Sequence, residues 1–350
     1  MNSGNIEGAR TQFMEAARLT SGDPGVFFGL ALTAETEAEK KSYLGEVRKL
    51  SPQVSAGEAA FINADNAKEV LLLYALAEDQ NGIRFVLERF PAVAGTWFEA
   101  KNERYQLLHK AVENNDLAFA QLLIAAGADV NTLQTVITKN GKKNLYSALY
   151  RAIWKRKDEA LVRLLIQAGA NVNLRVSYTN ESRYEISCTP LIAAIIEANN
   201  PRLVSMLLSA GAKPDEMLLM RYKPNSPILN ESALQNDMRF FTPLDRAIAV
   251  KNESIVQLLI RAGANVNQFS KYKAGSADWF DSTPLFCAID KWGNLNVVQM
   301  LLNAGADWNA EVHINLQKYR IIKYPFHKDG LPKELLTQLR QLGWRGSGLF

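Results

Sequence analysis

Residues 242–267 read Thr242-Pro-Leu-Asp-Arg-Ala-Ile-Ala-Val-Lys-Asn-Glu-Ser-Ile-Val-Gln-Leu-Leu-Ile-Arg-Ala-Gly-Ala-Asn-Val-Asn267, and this stretch decides the fold. Thr242 is a residue that caps a helix by accepting an orphan backbone N–H. Pro243 follows, with its φ preset and no donor to leave unpaired in the first turn. Ile255, Val256, Leu258, Leu259 and Ile260 give a second helix its apolar face. Gly263 can take the left-handed conformation that closes that helix. The reading is helix, turn, helix, with a sticky face that only a neighbouring unit can cover.

Working outward, the same marks recur. Ala-Gly-Ala places its glycine at Gly127, Gly169, Gly211, Gly263 and Gly305, at spacings of 42, 42, 52 and 42 residues. Four residues after each glycine stands Asn131, Asn173, Asp215, Asn267 or Asn309. A helix start precedes each glycine by 21 or 22 residues: Gln106-Leu-Leu-His109, Ser147-Ala-Leu-Tyr150, Thr189-Pro-Leu-Ile192, Thr242-Pro-Leu-Asp245 and Thr283-Pro-Leu-Phe286.

Thr-Pro-Leu, the Leu-Leu core and Gly263-Ala-Asn-Val-Asn267 closely resemble ankyrin repeats. Five copies cover residues 106–309. A degenerate sixth runs over 70–92, with Ala75 at the small first-helix position, Ile83, Val86 and Leu87 in the second-helix core, and Pro91 where the glycine would stand. In residues 1–52, Ala9, Phe13 and Ala16, then Leu44, Val47 and Pro52, resemble the second-helix pattern of tetratricopeptide repeats, with Asp23-Pro24 opening a helix between them. A helical cap of no special family accounts for the same residues, since an array needs a cap at each end. The expected architecture is an all-α solenoid with β-hairpin fingers. It divides into an N-terminal helical cap (1–69), the repeat array (70–309), and a last hairpin with a basic capping helix (310–350).

An ankyrin unit is about 33 residues, so the 42-residue spacings carry nine extra residues each and the 52-residue spacing carries 19. In three copies one extra residue lengthens the turn between the helices. The rest falls after the amide, where the resemblance places a hairpin finger. Thr135–Thr138, Asn140-Gly141 and Lys142–Leu145 read as strand, turn and strand. Arg175–Tyr178 with Arg183–Ile186, Phe269–Tyr272 with Asp278–Phe280, and Glu311–Asn315 with Lys318–Lys323 repeat the form. The long stretch Glu216–Phe241 is the exception, expected to carry a turn of helix near Ser232–Asn236. Adjacent long fingers can pair edge to edge into a twisted sheet.

Insertions on a solenoid usually map to one face, often the binding face. The fingers carry Tyr178, Tyr184, Tyr222, Phe240, Phe241, Phe269, Tyr272, Trp279 and Phe280. Such rings anchor contacts because they bury much area at low entropy cost; equally, they glue neighbouring strands as cross-strand pairs. Tyr178, Tyr184, Tyr222, Tyr272, Trp279 and Phe280 are the partner-contact candidates among them. In the family resembled, the first helices line a concave groove. Carrying those positions over by register adds Lys110, Arg151, Trp154, Lys155, Ile196, Arg246, Lys291 and Trp292. The charged members also suit an ordinary solvated face. Trp154, in Ala152-Ile-Trp-Lys-Arg-Lys157 near the turn, is hard to bury.

The 350 residues are 47% hydrophobic and 22% charged, which excludes wholesale disorder. Forty basic against 36 acidic residues give +4, too little to argue for nucleic acid. The longest apolar run, Val70–Ala77, falls far short of the roughly 18–20 residues of a membrane helix. Two cysteines and three histidines exclude a disulfide scaffold and a four-cysteine zinc site. Cys188 and Cys287 fall two repeats apart and read as packing residues; the resemblance makes His109 structural. No phosphate loop, nucleotide fingerprint or nucleophile elbow occurs. No catalytic residue, cofactor or metal is therefore expected. An active site in the 216–241 insert would have Glu216, Glu231 and Asp237 but neither His nor Cys, and Asp281 with Asp290 is a carboxylate pair with no base or nucleophile beside it.

From Glu311 to Phe350 seven basic and three acidic residues give +4, the charge of the whole chain. Leu331–Leu342 reads as a final helix covering the last repeat, its lysines solvated or facing an acidic partner. The first 20 residues lack a signal-peptide pattern, although an amphipathic helix starts almost at once. The default expectation is cytoplasmic; a trimmed targeting segment would make it periplasmic or membrane-anchored. The resemblance implies a non-enzymatic protein-binding scaffold. Enlarged fingers suit a dedicated inhibitor, for instance a bacterial immunity protein that blocks a toxic effector enzyme. The alternative is a secreted effector or adapter that engages host proteins.

Overall fold

The computed structural model describes residues 3–19, 23–100, 102–180, 184–222, 238–274, 278–314, 317–321 and 333–341. The helical turn expected near Ser232–Asn236, and Glu231, Asp237, His327 and Leu331, lie outside them. The chain forms two compact units: Met1–Ala100 with Arg104–Asp129, and Lys101–Glu103 with Val130–Phe350.

The first unit opens with α1 (Ser3–Leu19), α2 (Pro24–Thr33), α3 (Glu37–Leu50) and α4 (Ala56–Phe61). Asp23 caps α2 by accepting from the Gly25 amide at 2.8 Å. Thr36 and Ser55 open the next two helices with capping boxes closed by Glu39 and Glu58. A Cβ at Gly29 would run into the Phe13 ring, so any larger residue there would have to displace that ring from between α1 and α2. Phe13 meets Phe61 edge-on at 5.5 Å, and Phe28 stacks on Tyr74 at 5.7 Å. Two helix pairs follow: α5 (Ala67–Leu76) with α6 (Gln80–Arg89), and α7 (Leu107–Glu113) with α8 (Leu117–Ala125). Their turns both use a left-handed residue, Glu78 at φ 58° and Asn115 at φ 60°. The degenerate copy thus keeps the repeat's turn although it lacks Thr-Pro and the closing glycine. Pro91–Gly95 forms a 3₁₀ turn in that glycine's place. Short strands β1 (Phe98–Ala100) and β2 (Glu103–Tyr105) lie between the pairs in the chain.

One buried ionic cluster ties this unit together. Arg48 on α3 donates Nη1 and Nη2 to the two carboxylate oxygens of Glu58, both at 2.9 Å, and Nε to Asp79, the N-cap of α6. Glu58 has no exposed surface, and its Oε1 also accepts the Tyr74 hydroxyl at 3.0 Å. Burial works to lower the pKa of the Arg48 guanidinium, and the two carboxylates together outweigh burial and hold that pKa above its usual value. Burial beside Glu58 raises that of Tyr74.

The second unit carries four helix pairs. They are α9 (Ala148–Arg151) with α10 (Glu159–Gln167), α11 (Pro190–Ile196) with α12 (Pro201–Ser209), α13 (Pro243–Ala249) with α14 (Glu253–Arg261), and α15 (Pro284–Cys287) with α16 (Leu295–Asn303). Ser147, Thr189, Thr242 and Thr283 each cap a first helix by accepting from the amide three residues on. Asp158, Asn200, Asn252 and Asn294 cap the second helices. Gly169, Gly211, Gly263 and Gly305 are left-handed, at φ 83–89°, and close those helices as the sequence requires. The extra turn residue is absorbed as a widened π-turn at Ala152–Arg156 and Ala288–Trp292, each ending in a left-handed residue, Lys157 or Gly293.

Between the pairs run β3 (Leu133–Ile137), β4 (Lys143–Ser147), β5 (Val176–Thr179), β6 (Tyr184–Cys188), β7 (Leu218–Tyr222), β8 (Met238–Phe241), β9 (Ser270–Ala274), β10 (Asp278–Ser282), β11 (Glu311–Ile314) and β12 (Gln317–Arg320). Strands β3 to β12 join in sequence order into one antiparallel sheet. Within one hairpin Thr135 faces Leu145; between hairpins Leu145 faces Ser177, Glu185 faces Arg221, Phe240 faces Lys271 and Asp281 faces His313. A last helix, α17 (Lys333–Gln341), buries Leu335 and Leu339.

The amide after each glycine ties one repeat to the next. Asn131 donates Nδ2 to the Gly169 carbonyl at 3.2 Å and accepts the Asn171 amide at 2.7 Å. Asn173 does the same with Gly211 and Lys213, and Asn267 with Gly305 and Asp307. Asp215 accepts the Asn265 amide at 2.8 Å, but a carboxylate has no N–H for the Gly263 carbonyl.

Candidate partner-binding surface

The residue just before each first-helix cap lies at or next to the end of a strand, one turn of helix from the residue four past the cap. In three copies this makes a cation lie over a ring. Lys110 Nζ sits 4.6 Å from the Tyr105 centroid, the Arg151 guanidinium 4.0 Å from Tyr146, and the Arg246 guanidinium 3.8 Å from Phe241. In the remaining copies the pair is small: Cys188 with Ala193, and Ser282 with Cys287, whose oxygen and sulfur are 3.4 Å apart. Sequence register picked out these cations but not their shelves. The signal was present, in an aromatic residue immediately ahead of the cap wherever a cation stands four residues behind it.

Around Arg151 the rings form a column. Tyr146 stacks on Trp154 at 6.0 Å and 5°, and on Tyr178 at 5.9 Å; Tyr150 lies 6.2 Å from Trp154 and 6.1 Å from Tyr178. Tyr146 precedes α9, Tyr150 and Trp154 follow at intervals of four, and Tyr178 arrives from β5, so helical spacing and strand pairing build the column together. Burial raises the pKa of all three tyrosines, keeping their hydroxyls neutral. Arg151 is only 7% exposed; it is enclosed by rings, whereas register alone placed it on an open face. Trp154 ends the column at 36% exposure, with Lys155 and Lys157 exposed beside it.

The other candidates divide. Lys110, in the first unit, is half-buried and 3.2 Å from Glu113. Tyr184 is half-buried under the Arg239 guanidinium, 4.6 Å above its ring. Ile196 and Trp292 are half-buried at the ends of their helices, and Lys291 is exposed. Tyr222 faces Tyr184 in register, Phe280 faces Tyr272 and Trp279 faces Lys273; the side chains of Tyr222, Tyr272, Trp279 and Phe280 lie outside the described part of the structure.

Reactive groups are present but quenched. Cys188 and Cys287 are free and buried, and burial pushes each thiol up to about 12, away from the thiolate a nucleophile needs. Asp245 is fully enclosed. Burial pushes its carboxyl up to about 7 against the pull of Arg246 and Lys291, and only the weak Cys287 thiol is placed to donate to it. His109 is buried, accepts the Gln106 amide at Nδ1 and stacks on Trp97, a structural role. Glu216 of the long insert pairs with Arg175 at 2.9 Å. Among the described residues no group of His, Cys, Asp and Glu is placed to hold a metal, and no helix is long and apolar enough to cross a membrane.

A family model for ankyrin repeats, three copies long, matches residues 108–217 and 223–312, more than half of the chain. The chain belongs to the ankyrin repeat family. Solved structures similar to this ankyrin chain include the ankyrin repeat domain of Bcl-3, a member of the IkappaB protein family (19% identity, TM-score 0.49, 78% of this chain and 97% of that one). They also include the human ASB11 ankyrin repeat domain (20% identity, TM-score 0.44, 78% and 96%). No curated protein matches the chain in sequence. Ankyrin repeats are protein-interaction modules, so the membership makes the chain a protein-binding scaffold.

Proposed function

We propose that this scaffold holds one specific protein through its first-helix row and its paired strands, acting as a non-enzymatic inhibitor. One concrete form is an immunity protein that occludes a toxic effector enzyme. The observation that carries the reading is the ring column. Trp154 is the surface end of a column of four rings, held against Tyr146 and Tyr150, so an incoming partner gains its contact area at little entropic cost. We read the paired strands as elongated fingers of the same surface, residues 1–69 as a tetratricopeptide-like cap, 70–309 as the array and 310–350 as its closure. Quenched thiols and an enclosed carboxyl fit a role in which the chain binds but does not transform.

The test is affinity capture from native lysate on the full chain, with Trp154→Ala and Tyr184→Ala as parallel baits. A single stoichiometric protein, lost on the Trp154 bait, is expected. Absence of any stoichiometric protein on the wild-type bait overturns the reading.

A further inference from the structure

The charges of the second unit are not shared evenly between its two helix rows. From cap to left-handed turn residue, the four first-helix segments (147–157, 189–199, 242–251 and 283–293) hold seven basic and three acidic residues. From there to the closing glycine, the four second-helix segments (158–169, 200–211, 252–263 and 294–305) hold three of each. One of the three acids in the first row, Asp245, is enclosed and pushed toward its neutral form. The other two are Glu197, half-buried, and Asp290, exposed. Lys155, Lys157, Lys251 and Lys291 are exposed, while Arg151 and Arg246 are held in register over Tyr146 and Phe241. A ring beneath a guanidinium fixes its position without cancelling its charge.

We propose that the first-helix row of this unit docks an acidic polypeptide surface of the partner, with an apolar side chain of that surface seated on Trp154. Charge complementarity selects the partner: Lys155 and Lys157, exposed beside the Trp154 indole, and the exposed Lys251 and Lys291 further along the row match carboxylates flanking an apolar residue. A phosphate backbone is the less favoured occupant, because Asp290 and Glu197 interrupt the row and the chain's net charge is only +4. This inference rests on the scaffold reading above and adds the chemistry of the partner to it.

The experiment selects random 16-residue peptides displayed on phage against the immobilised full chain at low salt. The selected peptides are then measured by fluorescence anisotropy, beside a 30-nucleotide single-stranded DNA. Enrichment of Asp and Glu around an aromatic or leucine is expected, with affinity falling at least tenfold between 50 and 300 mM salt. Trp154→Ala and the double variant Lys155→Glu/Lys157→Glu should each weaken these peptides at least tenfold. Both lysines are exposed, so the double variant isolates charge from folding, checked by an unchanged thermal midpoint. Enrichment of basic or neutral peptides, no enrichment, acidic peptides indifferent to both variants, or tighter binding of the DNA each overturns the proposal. If lysate capture yields a stoichiometric protein whose binding ignores salt and the lysine variant, the scaffold reading survives and this inference alone fails.

Discussion

The two units are held by opposite means. In the first, one buried cluster of Arg48, Glu58, Asp79 and Tyr74 joins α3, α4, α5 and the cap of α6, and nothing in it repeats. In the second, the same small, neutral bonds from Asn131, Asn173 and Asn267 tie repeat to repeat at three junctions, and Asp215 makes half of that tie at the fourth. A non-repeating segment has only one chance to meet its neighbours, so it concentrates its polar contacts. An array distributes them, and each tie is individually weak. The contrast predicts concentrated damage in one unit and diluted damage in the other.

The largest effect should come from Arg48→Met. Removing one partner of a buried ion pair leaves Glu58 uncompensated with no exposed surface, at a cost of about 3–5 kcal/mol. Urea unfolding with hydrogen exchange should show the loss over residues 67–89 and little change over 190–262. A loss under about 1 kcal/mol, or one spread evenly over both units, would break the comparison.

Next comes a charged misfit in the repeating unit. Asp245 stands where the first copy has the well-bonded His109, and its folded carboxyl titrates near 7 against an ordinary 3.8. The folded state therefore binds more protons than the unfolded between about pH 4 and 7, and stability falls as pH rises across that window. The ceiling is roughly 4 kcal/mol, because each pH unit between the folded and unfolded titrations is worth about 1.36 kcal/mol. Asp245→Asn should unfold at a higher urea midpoint than wild type at pH 8 and at nearly the same midpoint at pH 4. Parallel pH profiles for the two proteins would show that the enclosed carboxyl is not the cause.

How much of this was legible follows from the range of each interaction. Thr242, Pro243 and Gly263 act on the backbone within a few residues, so their spacing alone exposes helix, turn and closure. The left-handed turn at Glu78 was hidden, because a glutamate carries no mark of φ 58°. Register found Lys110, Arg151 and Arg246 as groove positions that also suit a solvated face, but not the ring under each, because that ring comes from the preceding strand. Arg48, Glu58 and Asp79 form no periodic pattern, and only the folded chain brings them together.

The smallest effects test the array's dilution of its ties, and they come in opposite directions. Asn173→Ala removes one bond given to the Gly211 carbonyl and one accepted from the Lys213 amide; near the surface water replaces both in part, so the loss should be about 1–2 kcal/mol. Asp215→Asn should do the reverse. Asp215 already accepts the Asn265 amide, and the substitution keeps that oxygen while adding an N–H where its three counterparts reach the next glycine's carbonyl. It also removes a negative charge from beside a carbonyl oxygen, although the retained bond loses its charge assistance. The balance should be a gain of about 0.5 kcal/mol in urea unfolding, with no change in slope. A loss instead would mean that the charge-assisted bond outweighs the missing donor, and that the single acid in the ladder strengthens the junction it serves.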